Sequence, residues 1–290
     1  MNTDVSYRAL FTEIKDLLSL DDEILGEDIG ESDYAAILSL TEENIPDLKN
    51  LARLWLESPG NEKDQYIWDI AVFAWRAFAS INITEAIRFM LELMDEAEKK
   101  EIQLDLLATD IEHAGEMADT GAMVFLCGFI QDKSYDEWTT ISAIECLGYG
   151  LEDNYDMKNI VKDALTKRFM DYEDNPSSLN AFLIDHLADL KAVDLAEEIE
   201  KAFAVGKVDE SHIGIWEDIR HRLGVSGMGL VPDGVRVTPD PYMELRGKLN
   251  QLLELNRAKE QQLMKKHKKT KKKQRNNAKK IRKMKHKGGR

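Results

Sequence analysis

Residues 156–165 read DMKNIVKDAL, and residues 194–203, thirty-eight positions later, read DLAEEIEKAF. Set one above the other, Asp156 falls on Asp194, Met157 on Leu195, Val161 on Ile199, Ala164 on Ala202 and Leu165 on Phe203. The shared apolar positions are separated by four, three and one residues, the spacing of a single helical face, and an acid stands where each helix would be capped. A period near 38 lies in the range of HEAT-like helical pairs, in which each unit buries its apolar face only by stacking on its neighbours.

The same reading extends outward. Ser134 and Glu137 have the spacing of a capping box, opening a helix whose face is Trp138, Ile141, Ile144, Gly148 and Leu151. With the helix capped near Asp156, which buries Met157, Ile160, Val161, Ala164 and Leu165, it reads as a helical hairpin. Ser178 then caps a helix with Leu179, Phe182, Leu183, Leu187 and Leu190 inward, and Asp194 with Glu197 starts its partner. The first helices of these two hairpins, capped at Ser134 and Ser178, are 44 residues apart, so the repeat is irregular.

Upstream, residues 7–20 carry Leu10, Ile14, Leu17 and Leu18 at helical spacing, and the acidic run 21–33 reads as a solvated loop. Thr41 caps a helix that admits Pro46 in its first turn, with Ile45, Leu48, Leu51, Ala52 and Trp55 buried, and residues 58–61 end it. Residues 67–78 are apolar almost all round and predict a central helix covered on several sides. Thr84 opens a helix with Ile87, Met90, Leu91 and Met94 on one face; Leu104, Leu107 and Ile111 mark another; Asp119, Thr120 and Gly121 separate it from the apolar stretch 122–130. Downstream, Gly206 ends the second hairpin, and Asp209 or Ser211 begins a closing helix with Ile215, Trp216, Ile219 and Leu223 inward, stopped by Gly224. The predicted fold class is therefore all-α, a HEAT-like α-solenoid of irregular helical hairpins over residues 1–224. Residues 225–240, with Gly227, Gly229, Pro232, Gly234 and Pro239, read as a linker. Residues 241–258, with Leu245, Leu249 and Leu252, form a short amphipathic helix, and residues 259–290 a Lys-rich basic tail, disordered or helical.

Charge divides the chain as sharply as periodicity does. Of 39 Lys and Arg and 54 Asp and Glu, sixteen bases and one acid fall in residues 259–290, which leaves 23 and 53 in residues 1–258. A body near −30 repels phosphate backbones and anionic headgroups, so the body points to protein partners and any nucleic acid falls to the tail. There, Lys265, Lys266, Lys268, Lys269, Lys271, Lys272, Lys273, Arg275, Lys279, Lys280, Arg282 and Lys283 are the expected contacts to RNA, DNA or ribosome. No aromatic residue interrupts 259–290, so binding rests on phosphates without sequence preference. The rival readings are a nuclear-localisation-like address, if the source is eukaryotic, and an arm folding onto the acidic body.

Only Cys127 and Cys146 occur, both in apolar runs, which fits buried thiols in a reducing compartment and makes a zinc site improbable. The N-terminal residues lack the pattern of a signal or transit peptide, and the longest apolar run, 121–130, is ten residues, short of a membrane span. The expected location is cytoplasmic, with no membrane contact.

Residues 202–209 read AFAVGKVD, residues 214–219 read GIWEDI, and Leu223-Gly224 follows. This stretch resembles a bacterial family of uncharacterised helical-repeat proteins, the domain of unknown function 1186, whose repeat fold suits most of the body. The resemblance implies no activity. Members often end in a SEC-C motif, a small cysteine-rich zinc module, whereas this chain has no cysteine after Cys146, so zinc does not carry over. The basic tail in its place implies, by analogy, an attachment device.

Three histidines are candidate ligands or acid–base groups: His113 beside Asp110, Glu112 and Glu116; His186 beside Asp185; and His221 four residues after Glu217. The plainer reading makes His186 a hydrogen-bonded core residue and the other two parts of a solvated acidic surface. Ser226 sits in a Gly-x-Ser-x pattern, but Met228 replaces the glycine a nucleophile elbow needs, and the surrounding composition is that of a linker. No phosphate loop, His-Glu-x-x-His or dinucleotide fingerprint is present. Trp68, Trp75, Trp138 and Trp216 read as core aromatics rather than a ligand cage. The expected function is a non-enzymatic interaction protein without cofactor, its helical-repeat surface binding protein and its tail adding electrostatic attachment. The alternative is a metal-dependent enzyme or regulator around His113, His186 or His221.

Overall fold

A computed structural model describes residues 3–20, 24–26, 29–30, 32–57, 65–102, 105–151 and 154–225. The chain divides into two units, residues 1–228 and 229–290. The second unit, with the predicted linker residues from 226 on, the short helix 241–258 and every basic residue of the tail, lies outside the described residues, as do Leu104 and residues 58–61.

Every regular element among the described residues is helical: α1 (Thr3–Leu20), α2 (Tyr34–Ile37), α3 (Ile45–Glu57), α4 (Gln65–Ile81), α5 (Ile83–Glu98), α6 (Asp105–Ala114), α7 (Thr120–Phe129), α8 (Glu137–Gly150), α9 (Lys158–Phe169), α10 (Ser177–Asp189), α11 (Ala196–Ala204), α12 (Glu210–Ile213) and α13 (Trp216–Leu223). No strand occurs among them. One continuous apolar core runs from Leu10 and Ile14 to Ile219 and Leu223. The central helix is α4, where all residues from Ile70 to Ala79 are buried.

The internal echo is expressed in the backbone. Single 3-10 turns at Tyr155–Met157 and Val193–Leu195 precede α9 and α11, and both turns and both helix starts are offset by the 38 residues read from the sequence. The pairing, however, is shifted by one helix. α8 packs on α7, α6 and α10, while α9 packs chiefly on α10 and α7, so the hairpins are α7/α8 and α9/α10 rather than α8/α9 and α10/α11. The connections explain the shift. Asn154, between α8 and α9, donates to the Ala118 carbonyl (2.9 Å) and the Gly150 carbonyl (3.0 Å), which pins that segment beside α6. Between α9 and α10, the buried Asn175 donates to the Arg168 carbonyl (3.1 Å) and the Asn180 side chain (3.0 Å), closing a tight turn.

Several caps differ from those expected; at α5 and α8 an amide or carboxylate takes the free N–H groups, and α10 starts after a proline without a side-chain cap. Asn82, not Thr84, caps α5; Thr84 instead donates to Asp119 (2.7 Å), and Asp119 itself caps α7. Asp136 rather than Ser134 caps α8 by accepting from the Trp138 N–H at 2.8 Å. Pro176 precedes α10, and the Ser178 hydroxyl donates to Glu137, so the two first turns start 40 residues apart, at 137 and 177.

The described residues of the acidic run 21–33 are anchored, correcting the solvated loop there. Within it Ile29 is buried, the Leu25 carbonyl accepts from Tyr34 Oη and Arg76 Nη1, and Asp33 caps the additional helix α2. The closing element is likewise two short helices, α12 and α13, because Gly214 at φ +86° breaks the chain between them. There Ile219 and Leu223 are buried, Trp216 is half-buried against Phe203, and Ile215 is exposed rather than inward. Gly206 and Gly224 adopt the left-handed conformation expected of residues that end helices.

Candidate functional site

α8 and α10 lie side by side with a constant offset of 41 residues across their contact: Glu137 meets Ser178, and Glu145 Oε1 meets His186 Nε2 at 3.1 Å. Residues seven and four apart on a helix share a face, so Trp138, Glu145 and Tyr149 line one edge of the junction, and Phe182, His186 and Asp189 line the other. His186 can approach α8 this closely because Gly148 has no side chain. A Cβ at Gly148 would stand 2.2 Å from His186 Cε1.

A cavity of about 470 Å³ opens here, lined by Glu145, Gly148, Tyr149, Lys158, Asp185 and His186, with Leu151, Asp189 and Leu190 completing its wall. Asp185 and Asp189 are drawn together by Arg222 of α13, at 2.5 Å and 2.7 Å. Burial works against the charge on Arg222, and the two carboxylates outweigh it, holding its pKa above the ordinary value. On the neighbouring α6, burial and then the charge of Glu145 push the Glu112 carboxyl above its usual range. At the opposite end of the junction Trp138 is 44% exposed, with its ring 6.4 Å from His212 and the Phe182 ring 5.2 Å from His212.

The three candidate histidines are not brought together. His186 is hydrogen-bonded as the plainer reading expected, but to Glu145, while its neighbour Asp185 holds Arg222. His113 stacks edge-on against Tyr149 at 5.5 Å, and Asp110, one of its candidate co-ligands, is fully buried and bound by Trp75 and Arg76. His221 is exposed on α13. Among the described residues no group of three His, Cys, Asp or Glu side chains could hold a metal ion. Of the two thiols, Cys127 is half-buried and Cys146 buried, and burial raises the pKa of Cys127 to about 11 and that of Cys146 further still. No helix among the described residues is long and apolar enough to cross a membrane.

Two features of the junction are absent from the sequence reading. Trp138 is not a core aromatic, and Glu145, Tyr149, Lys158 and Arg222 were not singled out at all. The signal for the Glu145–His186 contact is in the chain: an offset of 41 places one on the other, and the 38- and 44-residue spacings read from the sequence bracket it. Comparison of the chain with protein-family models, with curated proteins and with solved structures finds no match.

Proposed function

We propose that the chain is a helical-repeat interaction protein without catalytic activity. In this reading residues 1–224 are a HEAT-like α-solenoid that binds a protein partner, residues 225–240 are a linker, and the short helix 241–258 leads to the tail. Residues 259–290 then attach electrostatically to RNA, DNA or the ribosome, in the cytoplasm. The carrying observation is the order of helix packing: α3, α5, α7 and α9 follow one another in one row, and α6, α8, α10 and α13 in a second. Two rows of successive hairpin helices present a long surface of side chains from several repeats, the arrangement that repeat proteins use for recognition. The charge division supports the assignment of roles, because a body near −30 repels the phosphates that a tail near +15 attracts. The segments at 202–209, 214–219 and 223–224 support placing the chain with the domain of unknown function 1186, which adds a fold and no reaction.

The test is affinity capture with the full chain and with a chain lacking residues 259–290. The reading expects one protein partner retained by both and RNA or ribosomes retained by the full chain alone. Absence of any partner with both forms, or equal RNA retention, overturns it. A second reading, an enzyme or metal-dependent regulator centred on His186, is favoured by the Glu145–His186 contact at the cavity. Metal analysis of the purified chain, together with unchanged partner capture by His186→Ala, separates the two.

A further inference from the structure

The junction of α8 and α10 differs chemically at its two ends, and the difference has a direction. One end is aromatic: Trp138, Phe182 and His212, from three different helices, with Trp138 nearly half exposed. An exposed tryptophan flanked by rings is the kind of residue that dominates protein interfaces when a partner covers it. The other end is the cavity, whose carboxylates are Glu145, Asp185 and Asp189. Asp185 and Asp189 already share Arg222, whereas Glu145 makes a single contact, to His186, and a carboxylate has about four acceptor positions. Among the described residues of the lining the basic side chains are Lys158 and His186, and with Arg222 engaged by Asp185 and Asp189 the three carboxylates still leave a small excess of negative charge, within a body whose net charge is also strongly negative. The charge of Glu145 is felt on the neighbouring α6, where after burial it is the next cause raising the Glu112 carboxyl above its usual range.

We propose that this junction is a docking groove for a segment of a partner protein that carries an apolar side chain and a basic one about 10 Å apart. The apolar side chain covers Trp138 and Phe182, and the ammonium or guanidinium enters the cavity to meet Glu145. The spacing follows from α8 itself, since Trp138 and Glu145 are seven residues apart and a helix rises about 1.5 Å per residue. A partner helix matches it with residues i and i+7, and a polyproline II segment, with three residues per turn and a rise of about 3.1 Å each, with i and i+3. Lys158 tunes the site by repelling the incoming cation, so it limits affinity rather than providing it. The proposal rests on the interaction reading above and names the site of that interaction.

The experiment uses the full chain and labelled peptides carrying one Leu and one Arg, seven apart on a helix-favouring backbone or three apart on a Pro-rich, polyproline II backbone. Binding is followed by fluorescence anisotropy at 150 mM salt. Controls replace Arg by Gln, or Leu by Ala, and are uncharged or basic so that they do not seek the cationic tail. At least one Leu/Arg peptide is expected to bind, and Trp138→Ala and Glu145→Gln are each expected to weaken it by roughly tenfold or more, the range of interface anchors. Glu145→Gln should not affect the Gln control, Lys158→Ala should tighten only the Arg peptides, and Glu200→Gln on α11 should change nothing. Circular dichroism melting of each variant separates loss of binding from loss of fold. Binding by neither Leu/Arg peptide, or equal losses for Arg and Gln peptides in Glu145→Gln, overturns the groove. In that case a partner captured by the full chain in the affinity experiment leaves the interaction reading standing, which keeps the two failures apart.

Discussion

Arg76 and Asp110 form a two-point ion pair at the centre of the protein, Nε to Oδ2 and Nη2 to Oδ1 both at 2.8 Å, with side chains 1% and 0% exposed. Trp75 Nε1 donates to the same carboxylate at 2.6 Å, and Arg76 Nη1 reaches the Leu25 carbonyl and, at 3.2 Å, Tyr34 Oη. Burial disfavours the charge on Arg76, and Asp110 followed by Tyr34 outweighs it, so its pKa lies above the ordinary value. This network fastens Leu25 and Tyr34 to α4 and α6.

Removing one partner leaves the other buried and uncompensated, so Arg76→Met should cost about 3 to 5 kcal/mol in denaturant unfolding. The double variant Arg76→Met with Asp110→Leu should recover much of that loss, since an apolar pair of similar volume avoids desolvating two charges. A single-variant loss below about 1 kcal/mol would show the pair to be incidental.

Gly148→Ala tests the fit of His186 against α8. The added methyl cannot share the space of the imidazole, so the ring must leave Glu145, at a cost of about 1 to 3 kcal/mol for overpacking. The His186 Cε1 proton should shift in the NMR spectrum. An unchanged resonance contradicts the predicted displacement.

Glu112 gives a pH dependence with a definite sign. Burial and Glu145 raise its folded-state pKa above the ordinary 4.5, so the folded protein binds this proton more tightly than the unfolded chain. Its contribution to stability is complete below 4.5 and is lost as pH rises through the folded value. Glu112→Gln should therefore melt higher than the parent at pH 7, and the difference should close as the pH is lowered towards 4.5. A gain that is constant with pH, or a loss at pH 7, rules out this assignment.

Trp216 and Trp138 should separate on mutation to Ala. Half-buried against Phe203, Trp216 should cost about 1 to 3 kcal/mol, below the range for a fully buried aromatic. Trp138, at 44% exposure, should cost less than Trp216. Thermal unfolding of the two variants in parallel reads the order directly, and the reverse order would contradict the placement of these side chains.

Helical period was legible almost throughout, because apolar spacing is a local property: the faces of α3, α4, α5 and α10 contain the residues the sequence nominated. The partners of those faces were not legible. Whether α9 folds back on α8 or on α10 is decided by Asn154 and Asn175, whose hydrogen bonds connect residues up to 36 positions apart. Charged residues misled for the same reason. The acidic run 21–33 has the composition of a solvated loop, and its Leu25 carbonyl finds buried partners in Tyr34 and in Arg76, fifty-one positions along the chain in α4. The candidate groove was half legible: His186 stood out in the sequence, whereas Glu145 is an ordinary surface-type residue until a 41-residue offset sets it against His186.

The division of labour between an acidic helical body and a basic tail is tested most directly by titrating a labelled RNA oligonucleotide with the full chain and with a chain ending at Arg257, across a range of salt. The account predicts sequence-independent binding by the full chain only. If about six phosphates are neutralised, affinity should fall roughly a thousandfold between 50 and 200 mM salt through counterion release. Equal binding by the two chains, or an affinity indifferent to salt, would contradict it.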